Sequence, residues 1–256
     1  MTKAIKIKSL LIGEGIPKIC VPLTGTTKEF ICQEAKAAKE VGADLVEWRA
    51  DFFEGLLDQA VCQEVLDEVS EILGGIPLLF TIRTKEEGGS IEISLEEYAA
   101  CNLAAARSHK ADLVDVEVMG NPQEKKNLIE SLHKEGSVVI ASSHDFEKAD
   151  SREVLLERFR EMEKSGADIL KIAVMPHGFG DVSAIMEATN DMRKECEKPL
   201  VSMAMGSIGS ISRIAGENFG SSIAFGTVGA ASAPGQFPIG ELRTLLAALH
   251  QKNQEA

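Results

Sequence analysis

Eight short apolar runs recur along the chain, at 18–23 (K-I-C-V-P-L), 44–49 (D-L-V-E-W-R), 78–83 (L-L-F-T-I-R), 112–118 (D-L-V-D-V-E-V), 137–144 (S-V-V-I-A-S-S-H), 168–175 (D-I-L-K-I-A-V-M), 200–205 (L-V-S-M-A-M) and 222–226 (S-I-A-F-G). Runs this short and this apolar predict parallel strands covered on both faces. Between them lie stretches with apolar residues at spacings of three and four, such as 29–41, 95–108 and 152–164, which predict amphipathic helices. Gly42, Gly136 and Gly166 each stand just before the next strand, where a helix should stop. The repeat, about 25 to 35 residues long, is that of βα units.

Eight such units either close into a (β/α)8 barrel or lie open as a doubly wound sheet. The open sheet calls for a glycine-rich dinucleotide turn after its first strand, but residues 24–28 read T-G-T-T-K. The expectation is therefore an α/β fold, a (β/α)8 TIM barrel forming one domain over 1–256, with its chemistry at the C-terminal ends of the strands. The opening M-T-K-A-I-K-I-K-S-L-L-I-G-E-G alternates apolar and basic residues. That predicts an N-terminal β-hairpin over 1–16 capping the barrel, not a signal peptide.

Side chains two apart share a strand face. This pairs Glu47 with Arg49, Thr81 with Arg83, Asp115 with Glu117, Ser142 with His144 and Lys171 with Ala173, all late in their strands. An outward charge or a buried ion pair accounts for any one of them. Seven ionisable groups at matching depth in five successive strands make a costly core, however, and together they are the inventory of a site that binds a polar anion. Lys171 is the most demanding of them. In the middle of an apolar strand, burial favours the neutral amine that attacks carbonyls, unless the ammonium snorkels out or meets a carboxylate. Arg49, Arg83 and Arg213 offer rigid forks of donors to carboxylate or hydroxyl groups, and Asp115 and Glu117 suit the task of holding the cations in place.

Composition narrows the classes. A net charge of -13 argues against nucleic-acid binding and against long-range steering of an anion, which has to be caught locally. Cys20, Cys32, Cys62, Cys101 and Cys196 are widely spaced and form no C-x-x-C pair, which suggests neither disulfides nor zinc and fits a reducing cytoplasm. No metal-binding spacing occurs, and the arginines near Asp115 and Glu117 compete with any cation, so no metal is expected. No apolar run approaches the roughly 18 to 20 residues of a membrane span. The run M-G-S-I-G-S-I-S-R, ending in Arg213, leaves a phosphorylated substrate and a Schiff-base aldolase open on chemistry alone. After the last strand, A-S-A-P-G-Q-F-P reads as a turn over the barrel mouth, a lid with Ser232 and Gln236 as contacts or an ordinary surface loop.

These residues also form a familiar series. G-E-G-x-P-K-I, L-V-E-W-R-A-D, F-T-I-R-T-x-x-E-G-G, D-V-E-V, S-S-H-D-F, L-K-I-A-V-M, S-M-A-M-G-x-x-G-x-x-S-R and S-A-P-G-Q occur in that order. The chain thereby resembles type I 3-dehydroquinate dehydratase, the Schiff-base enzyme of the shikimate pathway of aromatic amino acid biosynthesis, over nearly its whole length. The resemblance implies that Lys171 forms the imine, His144 is the acid/base residue and Glu87 supports the histidine. By the same resemblance Glu47, Arg49, Arg83, Arg213, Ser232 and Gln236 bind the hydroxyls and carboxylate of 3-dehydroquinate, no cofactor takes part, and the enzyme is a homodimer. Pro22 departs from the pattern, standing where some members have a serine.

Overall fold

The computed structural model describes residues 2–229 and 234–255. Strands β1 (Ile5–Ile7) and β2 (Leu10–Ile12) pair antiparallel as a hairpin. The βα units then run β3 (Lys18–Leu23), α1 (Lys28–Glu40), β4 (Leu45–Arg49), α2 (Gln59–Leu73), β5 (Leu78–Thr81), α3 (Leu95–Arg107), β6 (Leu113–Glu117) and α4 (Pro122–Lys134). They continue with β7 (Val138–Asp145), α5 (Arg152–Lys164), β8 (Ile169–Val174), α6 (Phe179–Glu195), β9 (Leu200–Ala204), the short α7 (Ser210–Ile214) and α8 (Gly216–Phe219), β10 (Ile223–Thr227), β11 (Phe237–Pro238) and α9 (Ile239–Gln254).

Helix starts follow from local chemistry. Ser94 and Glu97 form a reciprocal capping box at α3, the Asp58 carboxylate accepts from the N–H groups of Ala60 and Val61 at α2, and Pro122 opens α4. In the main sheet β10 lies beside β3, and the strands then follow in sequence to β9, all parallel. A bridge between Leu200 and Ser221, with the Ser222 N–H donating to the Leu200 carbonyl at 2.7 Å, brings β9 back to β10. The sheet therefore curls into the expected barrel.

Alternation along the strands separates two apolar layers. Outward residues such as Val46, Trp48, Phe80, Val116 and Ile172 pack under the helices. Inward residues Cys20, Leu45, Leu79, Leu113, Ile140, Ile169, Val201 and Ile223 form a plug together with Ile7 and Ile12 of the hairpin. The hairpin thus covers the N-terminal end of the barrel, and the inward polar residues, two and four positions further along, collect at the C-terminal mouth.

The parallel register keeps inward positions opposite one another. Arg49 faces Thr81, Thr81 faces Asp115, Glu117 faces Ser142, and Ser142 faces Lys171. A one-residue slip would send each set to the helix side, so burial of the plug also sets the alignment of the polar ring.

Strand β5 ends two residues earlier than the apolar run suggests. After Thr81 the chain folds back, with the Lys85 N–H donating to the Ile91 carbonyl at 2.8 Å and Thr84 bridging Ile91. Gly89 makes this possible, because a side chain there would begin 1.9 Å from the Arg83 carbonyl oxygen. The fold-back turns Glu87 inward towards β7.

Candidate active site

Lys171 lies in the centre of β8 and is 4 % exposed. Its ammonium stands 3.4 Å from Asp115 Oδ2, 3.6 Å from Glu47 Oε1 and 4.8 Å from the Phe225 ring centroid. The sequence offers burial and carboxylate pairing as alternatives, and the structure combines them: two carboxylates and an aromatic face offset the lost hydration.

His144, at the end of β7, contacts Glu87 twice. Its ring Nδ1 and its backbone N–H both lie 2.9 Å from Glu87 Oε2. With Glu87 ionised, the geometry suits a tautomer in which Nδ1–H donates to the carboxylate and Nε2 carries the lone pair. Burial, reinforced by the positive charges of Arg83, Lys171 and Arg49, holds the imidazole well below its usual pKa. Burial also pushes the Glu87 carboxyl up to about 8, with Arg83 opposing the shift and Glu117 and Asp115 adding to it. The two shifts run in opposite directions across one 2.9 Å contact.

The three arginines are held differently. Arg83 is fully engaged inside the protein, donating to Glu117 at 2.8 Å, Asp115 at 2.9 Å and Ser142 at 3.0 Å. These are the acids expected to hold the cations, and they do hold Arg83. Asp115 feels burial most, yet Arg83, Lys171 and the hydrogen bonds from Ser142 and Arg83 keep it below the usual carboxylate range. Arg49 is gripped bidentately by Asp51, at 2.7 and 2.8 Å, and stacks on Phe52 at 4.8 Å.

Arg213 is the exception. It is 3 % exposed, donates to the Pro234 carbonyl at 3.1 Å and touches Met203 Sδ at 3.8 Å, while its buried Nε has no hydrogen-bond partner. Burial alone lowers its pKa to about 10. Among the described residues no carboxylate pairs with it, so an anion entering the mouth meets a guanidinium without a counter-charge. The glycine run before it has a packing explanation: a side chain at Gly209 would begin 2.2 Å from the Ala204 carbonyl oxygen.

One cavity joins these groups. It is lined by Glu47, Arg49, Arg83, His144, Lys171, Arg213 and Gln236, with Phe146, Ala173, Met203, Met205 and Phe225 as its apolar walls. Ser232 lies outside the described residues, whereas Gln236 is at the cavity. Glu87 stands behind His144 and does not line this space. The apolar walls were missed on sequence, although alternation at Met203 and Phe225 carried the signal. Asp51 was missed too, and only the fold brings it against Arg49, the Arg83 N–H at 3.2 Å and the Ser90 N–H at 3.1 Å.

Fold and site together define a (β/α)8-barrel enzyme that holds a buried lysine, a carboxyl-backed histidine and an uncompensated arginine around one small cavity. The comparisons narrow this class. The family model for type I 3-dehydroquinase matches residues 19–253, and the chain belongs to that family. It is 44% identical over 252 residues to a 3-dehydroquinate dehydratase of Listeria monocytogenes, covering 98% of this chain and 100% of the relative. The type I 3-dehydroquinate dehydratase of Clostridium difficile, solved with covalently modified comenic acid, superposes with a TM-score of 0.95 at 41% identity, over 98% of this chain and 100% of that one. The 3-dehydroquinate dehydratase of Geobacillus kaustophilus gives 0.94 at 38%, over 97% of each chain. The protein is thus a lyase of the shikimate pathway, which removes the aldolase alternative.

Proposed function

We propose that this enzyme dehydrates 3-dehydroquinate to 3-dehydroshikimate by syn elimination through an imine on Lys171. The observation that carries the reading is the convergence of Lys171, His144 and Arg213 on a single cavity. Attack of the amine on the ketone, with loss of water, gives an iminium whose positive charge takes the place of the ammonium. Asp115 and Glu47, which balance the ammonium, balance the iminium equally, so the covalent step needs no new counter-charge.

His144 then takes a proton from the carbon next to the iminium, and the electron pair moves into an enamine. The proton now on Nε2 is then given to the departing hydroxyl, which leaves as water. One base serving both steps works on one face of the ring, hence the syn course. Glu87 orients the imidazole, and Arg213 holds the carboxylate. Arg49, Glu47 and Gln236 face the cavity and serve the hydroxyls; Ser232 is assigned to the same task by the resemblance. Arg83, whose donors are largely spent on Asp115, Glu117 and Ser142, contributes mainly charge. Hydrolysis of the product imine regenerates Lys171.

Sodium borohydride added with 3-dehydroquinate should fix the ligand on Lys171 as a secondary amine, located by peptide mass mapping, while uninhibited enzyme generates the ultraviolet absorbance of a conjugated enone. An unmodified Lys171 peptide in a sample that turns over would sink the imine mechanism.

Arg213 gives a second expectation. Arg213→Met should cost about 2–5 kcal/mol of transition-state binding, roughly 30-fold to several thousand-fold in kcat/KM. The same substitution should raise the melting temperature of the free enzyme, because it removes a buried guanidinium that has no carboxylate partner among the described residues and whose Nε is left unpaired. Calorimetry and initial rates measure the two halves, and unchanged kinetics would refute the carboxylate role. The resemblance also carries a homodimer and a cytoplasmic setting; five buried free cysteines support the second.

A further inference from the structure

His144 separates two spaces. On one side is the cavity of Lys171; on the other lies a larger cavity of about 490 Å³ between the β5 fold-back, the start of α4 and the end of β7. His144 is common to both linings, whereas Glu87 belongs only to the outer one. Polar groups dominate there, among them Glu117, Lys125, Asn121, Ser143 and Asp145. Lys125 is 8 % exposed and sits 4.3 Å from the Tyr98 ring centroid, while exposed residues such as Met119 and Asn121 open the rim to solvent. A polar space of this size holds several waters, each with partners to spare.

We propose that the outer cavity is a proton port, through which the His144–Glu87 pair exchanges protons with solvent while the substrate cavity is occupied. The inference rests on the reading of the inner cavity as the substrate site. When Nε2 of His144 takes the substrate proton, the Nδ1 proton passes along the 2.9 Å contact to Glu87 Oε2. The imidazole is then neutral with its proton on Nε2, and Glu87 is a neutral carboxylic acid. Its O–H exchanges a proton with water of the outer cavity, and the reverse transfer restores the starting pair. No charge has to cross the substrate cavity. The upward displacement of the Glu87 carboxyl and the downward displacement of His144 both favour this location of the proton.

The test uses the borohydride-reduced adduct, in which the inner cavity is filled. Ring N–H exchange with water is followed by NMR in ¹⁵N-histidine-labelled protein, and the His144 signal among the five histidines is the one absent from His144→Asn. Met119→Cys, at the rim, is capped with a bulky disulfide reagent that dithiothreitol removes; the native cysteines are all buried. Exchange should be fast in the uncapped adduct, slow by about tenfold or more on capping, and recover on reduction. Slow exchange without the cap, or exchange that the cap leaves unchanged, overturns the port. Failure of the adduct to form, seen by mass spectrometry, counts instead against the imine reading. Met119→Trp, a permanent plug at the same rim, should give the capped behaviour.

Discussion

Lys171→Ala should abolish the borohydride adduct and lower turnover of 3-dehydroquinate on the order of 10⁴-fold or more, since among the described residues no other amine lines the cavity. Arg83, which shares Asp115 with Lys171, cannot form an imine and is tied to Asp115 and Glu117. The substitution also leaves Glu47 and Asp115 without the ammonium that stands 3.6 and 3.4 Å away. A loss of stability is therefore expected beside the loss of activity, and Lys171→Met, which keeps the volume, separates cavity formation from charge imbalance. Calorimetry on both variants and a mass map of each after borohydride treatment provide the check. Adduct formation elsewhere on Lys171→Ala with turnover retained would contradict the assignment.

His144→Ala should behave in the opposite way, still capturing the ligand on Lys171 while kcat falls about 10²- to 10⁴-fold, the usual weight of a positioned acid/base group. The distinction matters because a merely misfolded site loses both. Imine formation depends on Lys171 and its carboxylates, which stand on β8, β6 and β4 and make no contact that needs the imidazole. The proton steps depend on the imidazole. Glu87→Gln should fall between wild type and His144→Ala, because the amide still accepts from the His144 backbone N–H but can no longer take up a proton. Rapid-quench mass spectrometry for the adduct and steady-state rates for turnover measure both. Full turnover in His144→Ala would mean that another group moves the proton.

Much of this was legible along the chain because a parallel barrel writes itself in one dimension. Strands covered on both faces are short apolar runs, and polar residues inside such runs are costly enough to be noticed. Glu47, Arg49, Asp115, Glu117, His144 and Lys171 stood out for that reason, and the register then placed them around one mouth. Arg213 lies in the short α7 and Gln236 in the turn before β11, where strand alternation carries no signal; the glycine run, the turn residues and the family motifs pointed to them. Glu87 was equally out of reach of periodicity, since only the fold-back around Gly89 turns it towards His144.

What the sequence by itself determined is the barrel, the side on which its chemistry lies, and the identity of the lysine and histidine at its centre, because strand alternation and βα order are local properties. Which cation is free was a tertiary decision. Arg83 and Arg213 read alike as residues, yet one is enclosed by Asp115 and Glu117 from the neighbouring strand while the other, among the described residues, meets a carbonyl and a thioether. The same holds for the two cavities that meet at His144. Compensation of buried charge depends on which side chains come within a few ångströms across strands and loops, and no spacing along the chain encodes those distances.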